Sequence, residues 1–196
     1  MSPRKPKKGA PAGKRPESMG PLRRALWRRK KAELVDTLLE LAQANRGVLR
    51  HLTARFDVAA VPDELVAATL QAIADATALD RRDINRNFAY DYGAYEEVKR
   101  NLGRLIGAGQ LQPALRLALE LMKQGSYQVE MSDEGLMTAD IEDCLEVVLK
   151  ALEKCDLPAA EVIAWCTAML DNDRVGFIAR GPLQSLRSRA QATTGR

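Results

Sequence analysis

Apolar residues in this chain recur every three or four positions and almost never every second one. Leu34, Val35, Leu38, Leu39, Leu41 and Ala42 follow that spacing, with Glu33, Asp36 and Glu40 on the other side. A helix of 3.6 residues per turn turns such a pattern into one apolar stripe and one wet face. "VLRHLTARF" reads as a second, shorter helix. Pro62 opens a third, "PDELVAATLQAIADAT", with Asp63 and Glu64 in the first turn, where the helix dipole favours acids. The nearest approach to a strand is "SYQVEM", which is too short to carry a sheet. The expected fold class is therefore all-α.

Beyond a polar connection at 78–88 the pattern predicts two helical pairs. The first runs through "YEEVKRNLGRLI" and "LQPALRLALELMKQG", joined by Gly107, Ala108 and Gly109, a tight turn that uses positive φ. "SYQVEMSDEGLM" reads as a turn-rich linker. The second pair runs through "TADIEDCLEVVLKALEKC" and "LPAAEVIAWCTAMLDND", with Pro158 in a first turn. Gly181 and Pro182 precede a last short helix, and the end, "RSRAQATTGR", is expected to fray. A shift of about 46 residues lays Tyr95, Glu96 and Glu97 on Ile141, Glu142 and Asp143, and Leu111 on Leu157. One more residue of shift aligns Leu115 with Val162 and Met122 with Met169. The expectation is stacked antiparallel helical hairpins, either a repeat-like α-solenoid or an irregular bundle. A disordered basic tail over 1–21 precedes one helical domain over 22–190 and a frayed 191–196.

At 196 residues the chain is long enough to bury a core. No apolar run is long enough for a membrane span and no secretory signal is seen, so the expectation is a cytoplasmic protein without a membrane partner. Cys144, Cys155 and Cys166 then read as free thiols. The net charge of +4 conceals an asymmetry. Residues 1–31 hold twelve Lys or Arg against one acid, and the remainder holds eighteen bases against twenty-five acids. The tail carries the positive field and the body is mildly acidic.

Enzymatic chemistry lacks its parts. His51 is the only histidine, and the cysteines stand eleven apart, so neither a zinc cluster nor a nucleophilic triad can be assembled. Cys144 and Cys155 fall on the apolar face with Ile141, Leu145, Val148 and Leu152 and read as buried core residues. "GRLIGAGQL" follows a helix rather than a strand, which is the wrong setting for a phosphate loop. The acidic turns "MSDEG" and "DNDRVG" lack the spacing of a calcium loop. No catalytic, cofactor or metal residue is expected. In "RNFAYDYGAYEEVKR", Tyr92 and Tyr95 continue into Val98, Leu102 and Leu105 as a buried stripe, with Phe88 and Tyr90 stapling the helix start. A stacking platform with Arg82, Arg86 and Arg100 is the alternative.

The segment "ELVDTLLELAQANRGVLRHL", followed by "LIGAGQLQPALRLALELMKQG" and the acidic turn "SDEG", resembles a helical region of unknown function found in bacterial proteins with SWIM-type zinc fingers. The likeness spans residues 22 to 172 and lies in leucines, alanines and turns. The finger itself, with its Cys-x-Cys and Cys-x-His pairs, is missing, so no metal ligand carries over. The resemblance implies a helical accessory or adaptor region working beside nucleic acid or protein.

The function expected is non-enzymatic binding of a protein partner, through a surface with Tyr90, Tyr92, Asp133 and Glu134. The alternative is non-specific association with DNA or RNA through Arg4, Lys5, Lys7, Lys8, Arg28, Arg29, Lys30 and Lys31, phosphate contacts that release counterions.

Overall fold

A computed structural model describes residues 19–56, 62–78, 85 and 89–194. All nine elements among the described residues are helices. They are α1 (Gly20–Trp27), α2 (Lys31–Ala44), α3 (Arg46–Arg55), α4 (Pro62–Ala76), α5 (Tyr92–Gly107), α6 (Leu111–Met131), α7 (Thr138–Leu152), α8 (Ala159–Asn172) and α9 (Arg180–Thr194). No strand is found among the described residues. The tail expected over 1–21 lies outside them except at its end, where Gly20 and Pro21 already belong to α1.

Contacts divide the chain into two compact units that meet in sequence at Arg55 and Phe56, where the sequence pattern suggested one domain over 22–190. The first unit holds α1 to α3. Glu33 Oε2 accepts from the Lys30 N–H at 3.2 Å and Asn45 Oδ1 from the Val48 N–H at 3.2 Å, so both α2 and α3 begin on capped turns. Packing of α2 on α3 buries little, and Ala42 is the one fully buried residue described in this unit.

The second unit holds α4 to α9 and the core. Its contacts run along the chain order: α4 packs on α5 and α6, α5 on α6 and α7, α6 on α7 and α8, and α8 on α9. A closed bundle would bring the first helix to the last, whereas here each helix packs on the next one or two, which is an open stack of hairpins. Hydrogen bonds between layers join residues about one repeat apart. Ser126 Oγ donates to the Asn172 carbonyl (3.0 Å), Cys144 Sγ to that of Tyr95 (3.4 Å) and Trp165 Nε1 to that of Leu115 (3.0 Å), over separations of 46, 49 and 50 residues. Ile73, Tyr95, Leu102, Leu121, Ile141, Leu145, Met169 and Leu183 are among its fully buried side chains.

Local rules explain the helix boundaries in part. Asp91 caps α5 by accepting from the Ala94 N–H at 3.0 Å. Tyr90, just before the cap, meets Tyr95 edge-on with ring centroids 6.1 Å apart, the staple geometry. Gly109 ends the first hairpin at φ 73°.

Two expectations need correction. "SYQVEM" is no linker: α6 continues to Met131, because Ser126, Gln128 and Val129 are buried against neighbouring layers, a gain that outweighs the helical cost of Gly125. The last helix is not short, and Gly181 and Pro182 lie inside its first turn rather than ahead of it. Proline is tolerated there because first-turn N–H groups have no intrahelical acceptor. That helix runs to Thr194.

Candidate interaction surface

The second unit carries an open groove of about 610 Å³ between α7 and the start of α9. Helix α7 contributes Glu142, Asp143, Glu146, Leu149, Lys150 and, at its C-cap, Glu153; the far wall is Phe177, Ala179, Arg180, Gly181 and Pro182. It exists because α7 and α9 touch only thinly, although both pack into the same stack.

The far wall is positioned by a turn that the chain uses twice. Ser132 and Asp173 each follow a helix, and three residues later comes a glycine with positive φ, Gly135 at 60° and Gly176 at 75°. Glycine adopts this left-handed backbone without a Cβ penalty. Ser132 Oγ accepts from the Gly135 N–H at 3.0 Å, and Asp173 accepts from the N–H groups of Val175 (3.2 Å) and Ile178 (2.9 Å). Met137 and Ile178, two residues past each glycine, plug the core completely. In the acidic turns noted in the sequence, Ser132 and Asp173 thus bond backbone amides. Between glycine and plug stands Leu136 in one copy and Phe177 in the other. Leu136 is half-buried and Phe177 is 54% exposed.

Polar bridges hold the groove at both ends. Glu142 Oε1 accepts from the Ala179 N–H at 2.9 Å, and Ala179 sits at φ 49°, strained for a residue with a Cβ. At the other end Arg189 pairs with Glu153 at 2.5 Å. Asp143 pairs with Lys99 of α5 at 2.7 Å, and Glu146 with Lys150 at 2.8 Å. These are exposed pairs of small individual worth, and their carboxylates retain lone pairs for a ligand. Lys99 is held charged, its ammonium raised above the ordinary lysine value by the hydrogen bond to Asp143. Four carboxylates, Glu142, Asp143, Glu146 and Glu153, and two bases, Lys150 and Arg180, share the lining with an apolar wall of Leu149, Phe177 and Pro182, and Lys99 and Arg189 pair with two of those carboxylates from outside it.

None of the tyrosines singled out from sequence lines this groove, and their exposures differ. Tyr90 is half-buried and donates to Asp140 Oδ2 at 2.5 Å; burial first, then this bond, push its hydroxyl up to about 12. Tyr95 is fully buried and donates to Gln128 Oε1 at 2.6 Å. Gln128 Nε2 in turn reaches the Ala76 carbonyl at 3.0 Å, so a side-chain chain of bonds ties α4, α5 and α6. Tyr92 is exposed and donates to Glu96 at 3.1 Å, a bond that raises its own hydroxyl. Asp133 and Glu134 are exposed in the turn before α7, where the Asp133 N–H donates to Asn85 Oδ1 at 3.0 Å. Neither lines the groove. Of the expected partner surface, Tyr92 is therefore the residue that offers a free aromatic face. Phe177, Leu149 and Pro182 escaped sequence reasoning; the matching turns "SDEGLM" and "DRVGFI" were the available signal.

In the first unit, Arg28, Arg29, Lys30 and Lys31 are all exposed, while Arg4, Lys5, Lys7 and Lys8 lie outside the described residues, as do Phe88, Arg82 and Arg86. His51 is exposed on α3. Cys144 and Cys166 are buried, which pushes their thiols up to about 12 and about 11, and Cys155 is half-buried; all three are free. Among the described residues no group of three His, Cys, Asp or Glu is placed to hold a metal, and no helix is long and apolar enough to cross a membrane. No family model, no curated protein and no solved structure matches the chain.

Proposed function

We propose that this chain is a non-enzymatic helical adaptor whose second unit docks a segment of a protein partner in the groove between α7 and α9. The observation that carries the reading is Phe177, a large aromatic left 54% exposed over an open cleft of about 610 Å³. Clefts of roughly 300–1,000 Å³ with an apolar floor and a few polar groups are where ligand segments bury their anchors. Hairpin stacks present such clefts between successive helices because each layer rotates slightly on the last. The lining selects the occupant: an apolar side chain against Leu149 and Phe177, flanked by one or two bases that share the exposed carboxylates of Glu146 and Glu153 with Lys150 and Arg189. Such a segment binds as a short amphipathic helix or an extended strip.

The test is fluorescence polarisation of a labelled library of roughly 15-residue peptides, apolar-basic against apolar-acidic, with the full chain. Apolar-basic members should bind best, and Phe177→Ala should weaken them about tenfold or more, as loss of an aromatic anchor does. Binding that ignores Phe177→Ala, or that prefers acidic peptides, would overturn the assignment. Support for the nucleic-acid alternative rests on the exposed run Arg28, Arg29, Lys30 and Lys31. That reading requires affinity for DNA or RNA to fall linearly in log salt.

A further inference from the structure

Helix α1 is amphipathic, basic and uncovered. At 3.6 residues per turn, Met19, Leu22 and Leu26 fall within about 60° of one another, Arg24 and Arg28 lie opposite, and Arg23 and then Trp27 stand on one flank, Trp27 roughly 110° from the centre of the apolar face. None of the residues of α1 is buried. Met19, Leu22 and Leu26 are all exposed, and Trp27 is 80% exposed. The segment from Met19 to Lys31 contains six bases and no acid. Where α1 meets α2, a notch of about 390 Å³ has Leu26, Trp27 and Leu34 as walls, with Arg29 and Lys31 beside it.

We propose that the segment Met19–Lys31 lies on an anionic lipid surface, with Met19, Leu22, Leu26 and Trp27 in the acyl boundary and the bases on lipid phosphates. Three features select this occupant. The charge is of one sign, so the complement is an anionic surface. Nucleic acid would also satisfy the bases, but it would leave the apolar face in water. A bilayer interface takes both faces at once, with tryptophan at the headgroup level and arginine stems bent along the apolar surface. The notch adds a place where apolar walls and cations adjoin, the chemistry of one acyl chain beneath an anionic headgroup. At eight residues, about 12 Å long, α1 lies on a membrane and does not span it.

The experiment is flotation of the full chain with vesicles of phosphatidylcholine containing phosphatidylglycerol, against phosphatidylcholine alone, alongside binding to a labelled random-sequence DNA duplex. Anionic vesicles should carry the chain and neutral ones should not, with a blue shift in tryptophan emission that Trp27→Phe abolishes. The pair Leu22→Gln and Leu26→Gln should lower vesicle partitioning about tenfold or more while leaving helicity and DNA binding unchanged, since neither side chain is buried and glutamine matches leucine in helix propensity. Arg28→Gln and Arg29→Gln should each cost about fivefold. Absence of flotation, flotation indifferent to the leucine pair, or binding to DNA alone would each overturn the proposal.

Discussion

A methyl group added at Gly125 would sit 2.8 Å from Ile141 Cδ1 and 3.2 Å from its Cγ1. Gly125 lies inside α6, where alanine would by itself favour the helix by about 1 kcal/mol. Ile141 is completely buried on α7, so its end can shift only among packed neighbours, and overpacking of this kind costs about 1–3 kcal/mol. Gly125→Ala should therefore lose about 1 kcal/mol net. Gly103, inside α5, is the control. A Cβ there meets only Val147 Cγ1 at 3.9 Å, an ordinary contact, so Gly103→Ala should gain about 1 kcal/mol. Urea unfolding followed by Trp165 fluorescence reads both, since the Trp165 ring is half-buried and bonded to the Leu115 carbonyl. Ile141→Val, which alone costs about 1 kcal/mol, should cost clearly less on the Gly125→Ala background, a coupling of about 1 kcal/mol. Equal stabilisation by both alanines, or no coupling with Ile141, would refute the argument that contact between layers fixes Gly125.

Three further outcomes are expected. With a thiol reagent near pH 8, Cys155 should react rapidly and Cys144 and Cys166 only after unfolding, because burial holds those two thiols up to about 12 and about 11; fast modification of all three in the native chain would contradict this. The raised Tyr90 hydroxyl favours the protonated form in the folded chain, so its contribution is complete below the unfolded value of 10.0 and is lost as pH rises towards about 12. Thermal unfolding between pH 8 and 12 should show a steeper alkaline loss for wild type than for Tyr90→Phe, by roughly 1–2 kcal/mol after allowance for its partial exposure. Gln128→Leu removes the partner of both the Tyr95 hydroxyl and the Ala76 carbonyl and should cost about 2–3 kcal/mol. Hydrogen exchange should show that loss in α4 as well as in α6.

How far the sequence reached can be judged residue by residue. Tyr95, Val98, Leu102 and Leu105 are buried where the stripe put them, because helical period separates inner from outer positions, but Tyr92, expected in the same stripe, is exposed at the first residue of α5. Phe177 has the same residue type as a core side chain and sits two residues before a buried position. Nothing local says that its neighbour Ile178 faces in while it faces out. Tyr92 was expected inside the stripe and Tyr90 at its start, yet Tyr90 is the half-buried one, bonded to Asp140 fifty residues away, and Tyr92 is open. The groove was therefore not readable: none of Tyr90, Tyr92, Asp133 and Glu134 lines it.

The sequence by itself determined what depends on neighbours along the chain. That includes the helices, the Asp91 cap, the Tyr90 staple, the positive φ of Gly109 and the concentration of bases before Ala32. Tertiary structure decided what depends on residues from 16 to 52 positions away. It chose an open stack over a closed bundle, carried α6 through Gly125 to Met131 and parted α7 from α9 around Phe177. The physical reason is that an apolar stripe specifies that a helix must be covered, and with how much surface, but not by which helix. The partner is chosen by fit, such as Ile141 in the space Gly125 leaves and Glu142 on the strained Ala179 amide, and such fits exist only once distant layers have met.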